Sequence, residues 1–155
     1  MTTVTLEAIQ AKQTELAAMI QQMHEQAAQC TQIEIEGCTL ELRAGERYAG
    51  AVLDEDGDHL HHLVLRAERP AGKVNWQAAM DWAKSVGGTL PSRQESSLLF
   101  ANCKPHLDPS WHWSSETHED DASYAWYCGF GTGRAFSAHK SYKGSAVAVR
   151  LIQIV

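Results

Sequence analysis

The chain has 155 residues, of which 44% are hydrophobic and 21% charged, a composition typical of one folded domain with a short additional element. No run of 18 apolar residues occurs, so the sequence predicts no membrane insertion. The net charge of -6 argues against a protein dedicated to nucleic-acid binding. The first residues lack the features of a secretory signal, and the four cysteines form no Cys-x-x-Cys pair. Reduced thiols, rather than two disulfides, are therefore expected.

The segment 1–30 is predicted to be an N-terminal oligomerisation helix. The helix itself is expected from about residue 5 to residue 30. Thr5 is placed to cap it, and Val4 and Ile9 are placed to form a hydrophobic staple. A coiled-coil seam with intervals of three and four residues comprises Leu6, Ile9, Gln13, Leu16, Ile20, Met23, Ala27 and Cys30. We expect this seam to build a homo-oligomer, either a dimer or a trimer. The alternative is that the stripe packs on the chain's own domain.

Residues 31–70 predict a segment of short β-hairpins. Apolar and charged residues alternate around residues 33–36 and 40–43, and two further strands are expected at 48–53 and 59–65. The acidic stretch 54–58, which contains Gly57, predicts the turn between them.

Residues 71–155 predict a domain in which two helices pack against an antiparallel sheet, so the fold class is α+β. The helices are expected at 73–87, ended by Gly87-Gly88, and at 93–102, where Ser92 and Glu95 form a capping box. Strands are expected at 111–115, 122–130, 134–138 and 145–154. The last strand should close the sheet, with Val147, Val149 and Leu151 on one face.

All twelve aromatic residues lie between Tyr48 and Tyr142, which places the main core in the second two-thirds of the chain. Four of them are expected in that core, namely Trp111, Trp113, Trp126 and Phe130. The alternative is that they form a stacking platform for a ligand.

Several motifs of this domain occur together in a known family. They are GGTLPSRQE at 87–95, WHWSSE at 111–116, AWY at 125–127 and VAVR at 147–150, preceded by GERYAG at 45–50 and HHLVL at 61–65. In this combination the chain resembles the DUF1566 family, and the last two motifs resemble its phage and prophage members. The resemblance covers about residues 45–152. It implies the C-type-lectin-like fold, in the branch shared with formylglycine-generating enzymes and phage tropism proteins, and a tendency to bind other molecules rather than one activity.

Metal binding is not expected, and no cofactor is predicted. A hard-cation site at Glu116, Glu119, Asp120 and Asp121 is the alternative to an exposed acidic loop. The 54–58 stretch resembles part of a calcium loop, but strands flank it and position twelve is Leu65. His59, His61 and His62 alternate on one strand, so at most two share a face, and partly buried strand histidines are the more ordinary interpretation. The calcium motifs of sugar-binding C-type lectins are missing as well.

Catalysis has little support in the sequence. Formylglycine-generating enzymes use a cysteine-based copper site near their C-terminal strands, and here Cys128 has no neighbouring cysteine. Cys103 or Cys128 pairing with His106, His112 or His139 is the remaining enzymatic alternative, and structural cysteines are favoured over it.

A charge contrast marks the candidate binding surface. Residues 116–121 carry four acids, whereas residues 129–155 carry four Lys or Arg and no acid, so the two patches either pair with each other or steer a charged partner. The predicted binding residues lie in the expected loops and are His118, Glu119, Asp120, Asp121, Arg134, His139, Lys140 and Tyr142.

We therefore expect a non-enzymatic phage or prophage protein that binds a host protein or surface receptor in the cytoplasm of the bacterial host. A tail-associated receptor-binding protein, a structural virion component, or a cysteine- or metal-dependent enzyme on the same scaffold are the alternatives.

Overall fold

The structure is a computed structural model that describes residues 5–28, 31–35 and 38–153. These residues form a mixed α+β fold, as expected from the sequence, with three helices and three antiparallel sheets. The helices are α1 (Leu6–Ala28), α2 (Trp76–Ser85) and α3 (Arg93–Cys103), followed by a 3-10 turn at Lys104–His106. The strands are β1 (Thr31–Ile35), β2 (Cys38–Leu42), β3 (Arg47–Leu53), β4 (His59–Leu65), β5 (Trp111–Thr117), β6 (Tyr124–Gly129), β7 (Arg134–His139) and β8 (Val149–Gln153). No helix among the described residues is long and apolar enough to cross a membrane.

The chain divides into two compact units, Met1–Ala44 and Gly45–Val155. The first unit contains α1 and the antiparallel hairpin of β1 and β2. Thr5 caps α1 as expected, because its hydroxyl accepts the Ala8 amide at 3.4 Å. The predicted staple residue Val4 and the last two residues of the predicted helix, 29 and 30, lie outside the described residues.

The predicted hairpin segment 31–70 belongs to both units. β3 and β4 form the expected hairpin, and β8 pairs with β4 to complete a sheet of order β3-β4-β8 inside the second unit. The boundary of the larger unit therefore lies between residues 44 and 45, not between 70 and 71.

We call the sheet of β5, β6 and β7 the aromatic sheet. The last strand does not close this sheet, which corrects the prediction for residues 145–154. β5, β6 and β7 form their own sheet, whereas β8 begins only at Val149, which faces Leu65 of β4 in the register. Val147 is buried before the strand begins, and Leu151 is 39% exposed. Five residues of β8 pair with β4, from Leu65 to His61, and this pairing places Arg150 where it binds the buried Glu46 carboxylate.

Each helix of the second unit begins at a side-chain cap. The Asn75 side chain accepts the Ala78 amide at 2.9 Å, which shortens α2 relative to the predicted 73–87. Val74 instead forms a bridge with Gly144. The predicted capping box of α3 is confirmed, since Ser92 and Glu95 bond each other's backbone amides.

Two apolar clusters fill the second unit. One contains Leu99 of α3, Leu63 of β4 and Phe130, and the other contains Ala79 of α2 and Trp113 of β5. Trp113 is fully buried and its indole donates to the Val74 carbonyl at 3.0 Å. Trp113 and Phe130 are thus core residues as predicted, and half-buried Trp111 packs against the second cluster. Trp126 is half-buried and belongs to neither cluster, which corrects the prediction for it.

A buried ion-pair network joins the ends of three strands. Glu46 precedes β3, Arg66 follows β4, and Arg150 lies in β8. The Glu46 carboxylate accepts Arg150 Nη2 at 2.7 Å and lies 3.8 Å from Arg66 Nη1, and the side chains of Glu46 and Arg66 are 2% and 5% exposed. Because an unpaired buried charge is costly, each partner depends on the others remaining in place.

Gly87-Gly88 brings the end of α2 against this sheet. Gly87 has a φ of +77°, which suits the reversal after the helix, and the amide of Thr89 donates to the Val149 carbonyl at 3.0 Å. A Cβ added to Gly88 would lie 2.7 Å from the Val149 carbonyl oxygen and 2.9 Å from Arg66 Cδ. Only glycine fits between α2 and β8 here.

We predict that Gly88→Ala lowers the free energy of unfolding by about 1–3 kcal/mol, because the backbone oxygen of Val149 must shift to admit a methyl group. Urea unfolding followed by circular dichroism measures this change. Gly72→Ala is the matched control, since a Cβ there meets no atom within 4 Å. Equal stability of the two variants would contradict the close approach of α2 and β8.

Candidate functional site

Seven of the eight predicted binding residues lie at one end of the aromatic sheet. β5 ends, β6 begins and β7 ends at this edge, and Tyr124 faces His139 in the register. We call the residues 118–124 and 139–142 the loop surface. Arg134 is not part of it, because it faces Gly129 at the opposite end of β6 and β7.

Short hydrogen bonds hold the acidic half of the loop surface in shape. The Asp121 carboxylate accepts the Ser123 amide at 2.9 Å and also its hydroxyl, and the Asp120 amide donates to the His118 ring at 3.2 Å. The bonds from Ser123 lower the pKa of Asp121. The carboxylate therefore keeps its negative charge at neutral pH in a defined place.

Trp126 forms the wall of the loop surface. Its indole donates to Glu119 at 3.1 Å, the His118 ring stacks on it at 4.9 Å, and the Arg93 guanidinium lies 3.8 Å from its ring centroid. Two hydrogen bonds lower the pKa of the Glu119 carboxyl. The larger effect comes from the backbone of Glu119 itself, and the next from the Trp126 indole. Trp126 thus connects the acidic loop to Arg93 of α3 and does not fill the core.

The second half of the loop surface is aromatic. The His139 ring contacts both Tyr124, at 5.5 Å edge to face, and Tyr142, at 6.3 Å. Tyr142 is 62% exposed and Tyr124 38% exposed. The Lys140 amide donates to the Ser123 carbonyl at 2.9 Å and so joins the two halves. Tyrosine is enriched in protein-binding surfaces, so the two exposed tyrosines favour this end of the sheet as a binding surface.

The acidic and basic patches seen in the sequence do not pair with each other in the described part of the chain. Glu119 pairs with Arg93 at 3.3 Å, while Glu116 accepts the Arg93 backbone amide. Lys140 donates to Thr117 and lies over the Trp76 ring, and Arg150 belongs to the buried network with Glu46. The acidic loop is therefore not neutralised by the basic patch.

The 54–58 stretch is a hairpin turn in the structure. Asp54 accepts the backbone amides of Asp56 and Asp58 at 3.0 and 2.9 Å, and Gly57 has a φ of +87°. The histidines of β4 point to different partners. His61 pairs with Glu95 at 2.8 Å and His62 contacts the Tyr48 hydroxyl at 3.0 Å. In the described ranges, no three His, Cys, Asp or Glu residues are grouped for a metal ion.

The cysteines of the larger unit lie in the core. Cys103 and Cys128 carry free thiols within one buried apolar cluster. Burial raises the pKa of both thiols, which lowers the fraction of reactive thiolate. His112 faces Cys128 across the sheet but gives one ring nitrogen to the Ser110 carbonyl at 3.0 Å. These environments are typical of structural cysteines.

The predicted seam on α1 is exposed along its described length. Leu6, Ile9, Leu16, Ile20 and Met23 are 69%, 46%, 59%, 46% and 67% exposed, and Gln13 is exposed with them. The side chains of Ala27 and Cys30 lie outside the described residues. A row of large apolar side chains in water is unfavourable, which favours burial against another surface.

Sequence reasoning missed three residues of the site. The sequence predicts for Arg93 only an ion pair or capping bond that holds the link before α3, places Trp126 in the core and gives Tyr124 no binding role. Tyr124 had a usable signal, because it lies opposite His139 once the turn at 131–133 joins β6 and β7. The position of Arg93 beside Trp126 depends on the packing of α3 on the sheet and has no local signal.

We predict that Leu16→Glu with Ile20→Glu converts the chain from an oligomer to a monomer of 17.1 kDa, because two carboxylates in the seam repel their copies. Sedimentation equilibrium measures the mass. Ala18→Glu with Gln22→Glu is the matched control, since it places the same charges at the same spacing outside the seam. An unchanged mass for the seam variant, or a monomeric unmodified chain, contradicts the prediction.

We predict that the protein loses stability as the pH falls from about 7.5 to about 5.5. Burial lowers the pKa of His112 and His62 in the folded chain below 6.5, so the unfolded chain binds more protons in this range and protonation favours unfolding. His112→Asn, which keeps a donor for the Ser110 carbonyl, should show a smaller loss. Urea unfolding midpoints at the two pH values measure it. An equal loss of stability in the unmodified chain and in His112→Asn would show that His112 does not contribute to the pH dependence.

Comparisons with known proteins give no family assignment for this chain. No protein-family model matches the sequence, and no curated protein was found to be similar to it. The geometry of the site therefore carries the functional argument.

Proposed function

We propose that this chain is a non-enzymatic recognition protein that binds a host protein through the loop surface of a C-type-lectin-like domain. A phage or prophage origin and action in the cytoplasm of the bacterial host are part of the proposal, and the DUF1566 resemblance supports them. The partner is a protein with a basic surface, because the loop surface presents carboxylates that the basic patch leaves unneutralised.

One observation supports this function most strongly. The loop surface combines ionised carboxylates and exposed tyrosines on a fixed backbone. Asp121 is held by Ser123, and Tyr142 is 62% exposed next to His139. Tyrosine offers a large contact area at a small cost in conformational entropy, and a preformed loop lowers the cost of binding further.

The architecture of the second unit supports the lectin-like fold in the proposal. Two capped helices pack with two antiparallel sheets, and the loops extend from one end of the aromatic sheet. Changes in such loops leave the apolar clusters intact, so a scaffold of this type can be adapted to new partners.

Self-association through α1 adds to the proposed function. A coiled coil of α1 helices would present two or three loop surfaces at once, and the exposed seam supports it. Binding to a partner that is itself repeated then gains from the high effective concentration of the second contact. The environments of Cys103 and Cys128 support a non-enzymatic role, because their raised pKa values disfavour a nucleophile.

We predict that Asp120→Lys with Tyr142→Ala weakens binding to the host partner at least about tenfold, since it reverses a charge and removes an aromatic anchor. Affinity capture from host lysate with quantitative mass spectrometry identifies the partner, and titration of the purified pair gives the Kd. Glu55→Lys with Phe136→Ala is the matched control, because it makes the same kinds of change at exposed positions outside the loop surface. Equal weakening by both variants, or none by the first, contradicts the proposal.

A further inference from the structure

A concave site is lined by residues outside the loop surface. Three chain segments converge on a cleft of about 300 Å³, at the small end of the range for ligand pockets. The segments are residues 69–73, residues 108–112 and residues 145–146. Its polar lining comprises Arg69, Lys73, Asp108, His112 and Ser145.

The cleft carries a net positive charge in a chain whose total charge is -6. Arg69 is held in place, because its Nη1 donates to the carbonyls of Arg66 and Glu68 and its Nη2 to that of His106. Lys73 has no ion-pair or hydrogen-bond partner among the residues that the structure describes. Its charge acts on Asp108 in the same cleft, but its ammonium group makes no direct hydrogen bond and can contact an anionic ligand.

His112 supplies an acceptor at the wall of the cleft. The residue is 2% exposed, and its Nδ1 lies 3.0 Å from the Ser110 carbonyl, which requires a proton on Nδ1. Nε2 then carries the lone pair, and within the described ranges it has no hydrogen-bond partner. Burial lowers the pKa of His112, which keeps the ring neutral at pH 7. Nε2 is not among the fully buried atoms without a partner in the described residues, so it stays accessible, and the hydroxyl group of a ligand would donate to it.

Asp108 limits the charge of the ligand. One of its carboxylate oxygens accepts the Ser110 amide at 2.8 Å, and this hydrogen bond lowers the pKa of Asp108. The charges of Arg69, Lys73 and Asp108 leave one positive charge in excess. A ligand with one negative charge neutralises this excess, whereas a dianion would leave the occupied cleft with a net negative charge.

We propose that this cleft binds a small hydroxylated monocarboxylate, whose carboxylate contacts Lys73 in the field of Arg69 and whose hydroxyl donates to His112 Nε2. The ligand class follows from the Lys73 ammonium group, which makes no direct hydrogen bond, and the accessible Nε2 acceptor together. The site is separate from the loop surface, so the proposal stands or fails independently of the proposed function.

The test is a nuclear magnetic resonance titration of the full chain with D-gluconate as the probe. We expect saturable shifts at roughly millimolar concentration, centred on the amides of the cleft segments. D-glucitol has the same chain and hydroxyls but no carboxylate, and hexanoate has the carboxylate but no hydroxyls. Both should bind at least about tenfold more weakly than D-gluconate.

Two surface variants test the charge argument. Lys73→Gln should weaken D-gluconate binding about tenfold, and Asp108→Asn, which keeps an oxygen for the Ser110 amide, should strengthen it. Lys84→Gln, an exposed lysine at the end of α2, is the control and should leave the affinity unchanged. Shifts outside the cleft, equal binding of D-glucitol, weaker binding by Asp108→Asn, or no saturable shift would each overturn the proposal.

Discussion

The larger unit depends on the two ion pairs that the buried Glu46 carboxylate forms. This carboxylate lies between Arg66 and Arg150, and so it ties the start of β3 to the end of β4 and to β8. A buried ion pair of this kind adds little net stability over apolar packing, but removing one partner leaves a charge without compensation. Its effect is therefore to specify the return of β8 to β4, since another neighbour for β8 would separate Arg150 from Glu46.

That return determines the rest of the architecture. With β8 beside β4, the Val149 carbonyl meets the Thr89 amide and Gly88 lies against the same strand, which positions the end of α2. The segment before β8 is buried and bridges to His112 of β5, so the two sheets of the unit are joined. The aromatic sheet is thus held on one side by α2 and on the other by α3, and its far end carries the loop surface. A loop fixed on such a support loses little conformational entropy on binding.

Local features of the fold were predictable from the sequence, because local chemistry determines them. The capping box at Ser92, the hairpin turn at Asp54 and the reversal at Gly87 depend on residues within a few positions of one another. The partner of β8 was not predictable, since Val147, Val149 and Leu151 alternate equally well for either sheet and the choice depends on distant charges.

In the candidate site, too, some contacts were predictable from the local sequence and others depend on distant residues. Seven of the predicted binding residues meet at one edge, because antiparallel β6 and β7 bring the residues before one strand next to those after the other. Arg134 failed to join them for the same reason, as it begins β7 and lies a strand length away. The contacts of Arg93 with Trp126 and Glu119 required the packing of a helix on the sheet, which sequence spacing does not encode.

Hydrogen–deuterium exchange on the full chain, alone and bound to its captured host partner, tests the central claim most directly. If a rigid domain grips its partner with the loop surface, binding slows exchange at residues 118–124 and 139–142 and leaves β3, β4 and β8 unchanged. Slowed exchange in β3, β4 and β8 with none in the loop surface would contradict the account.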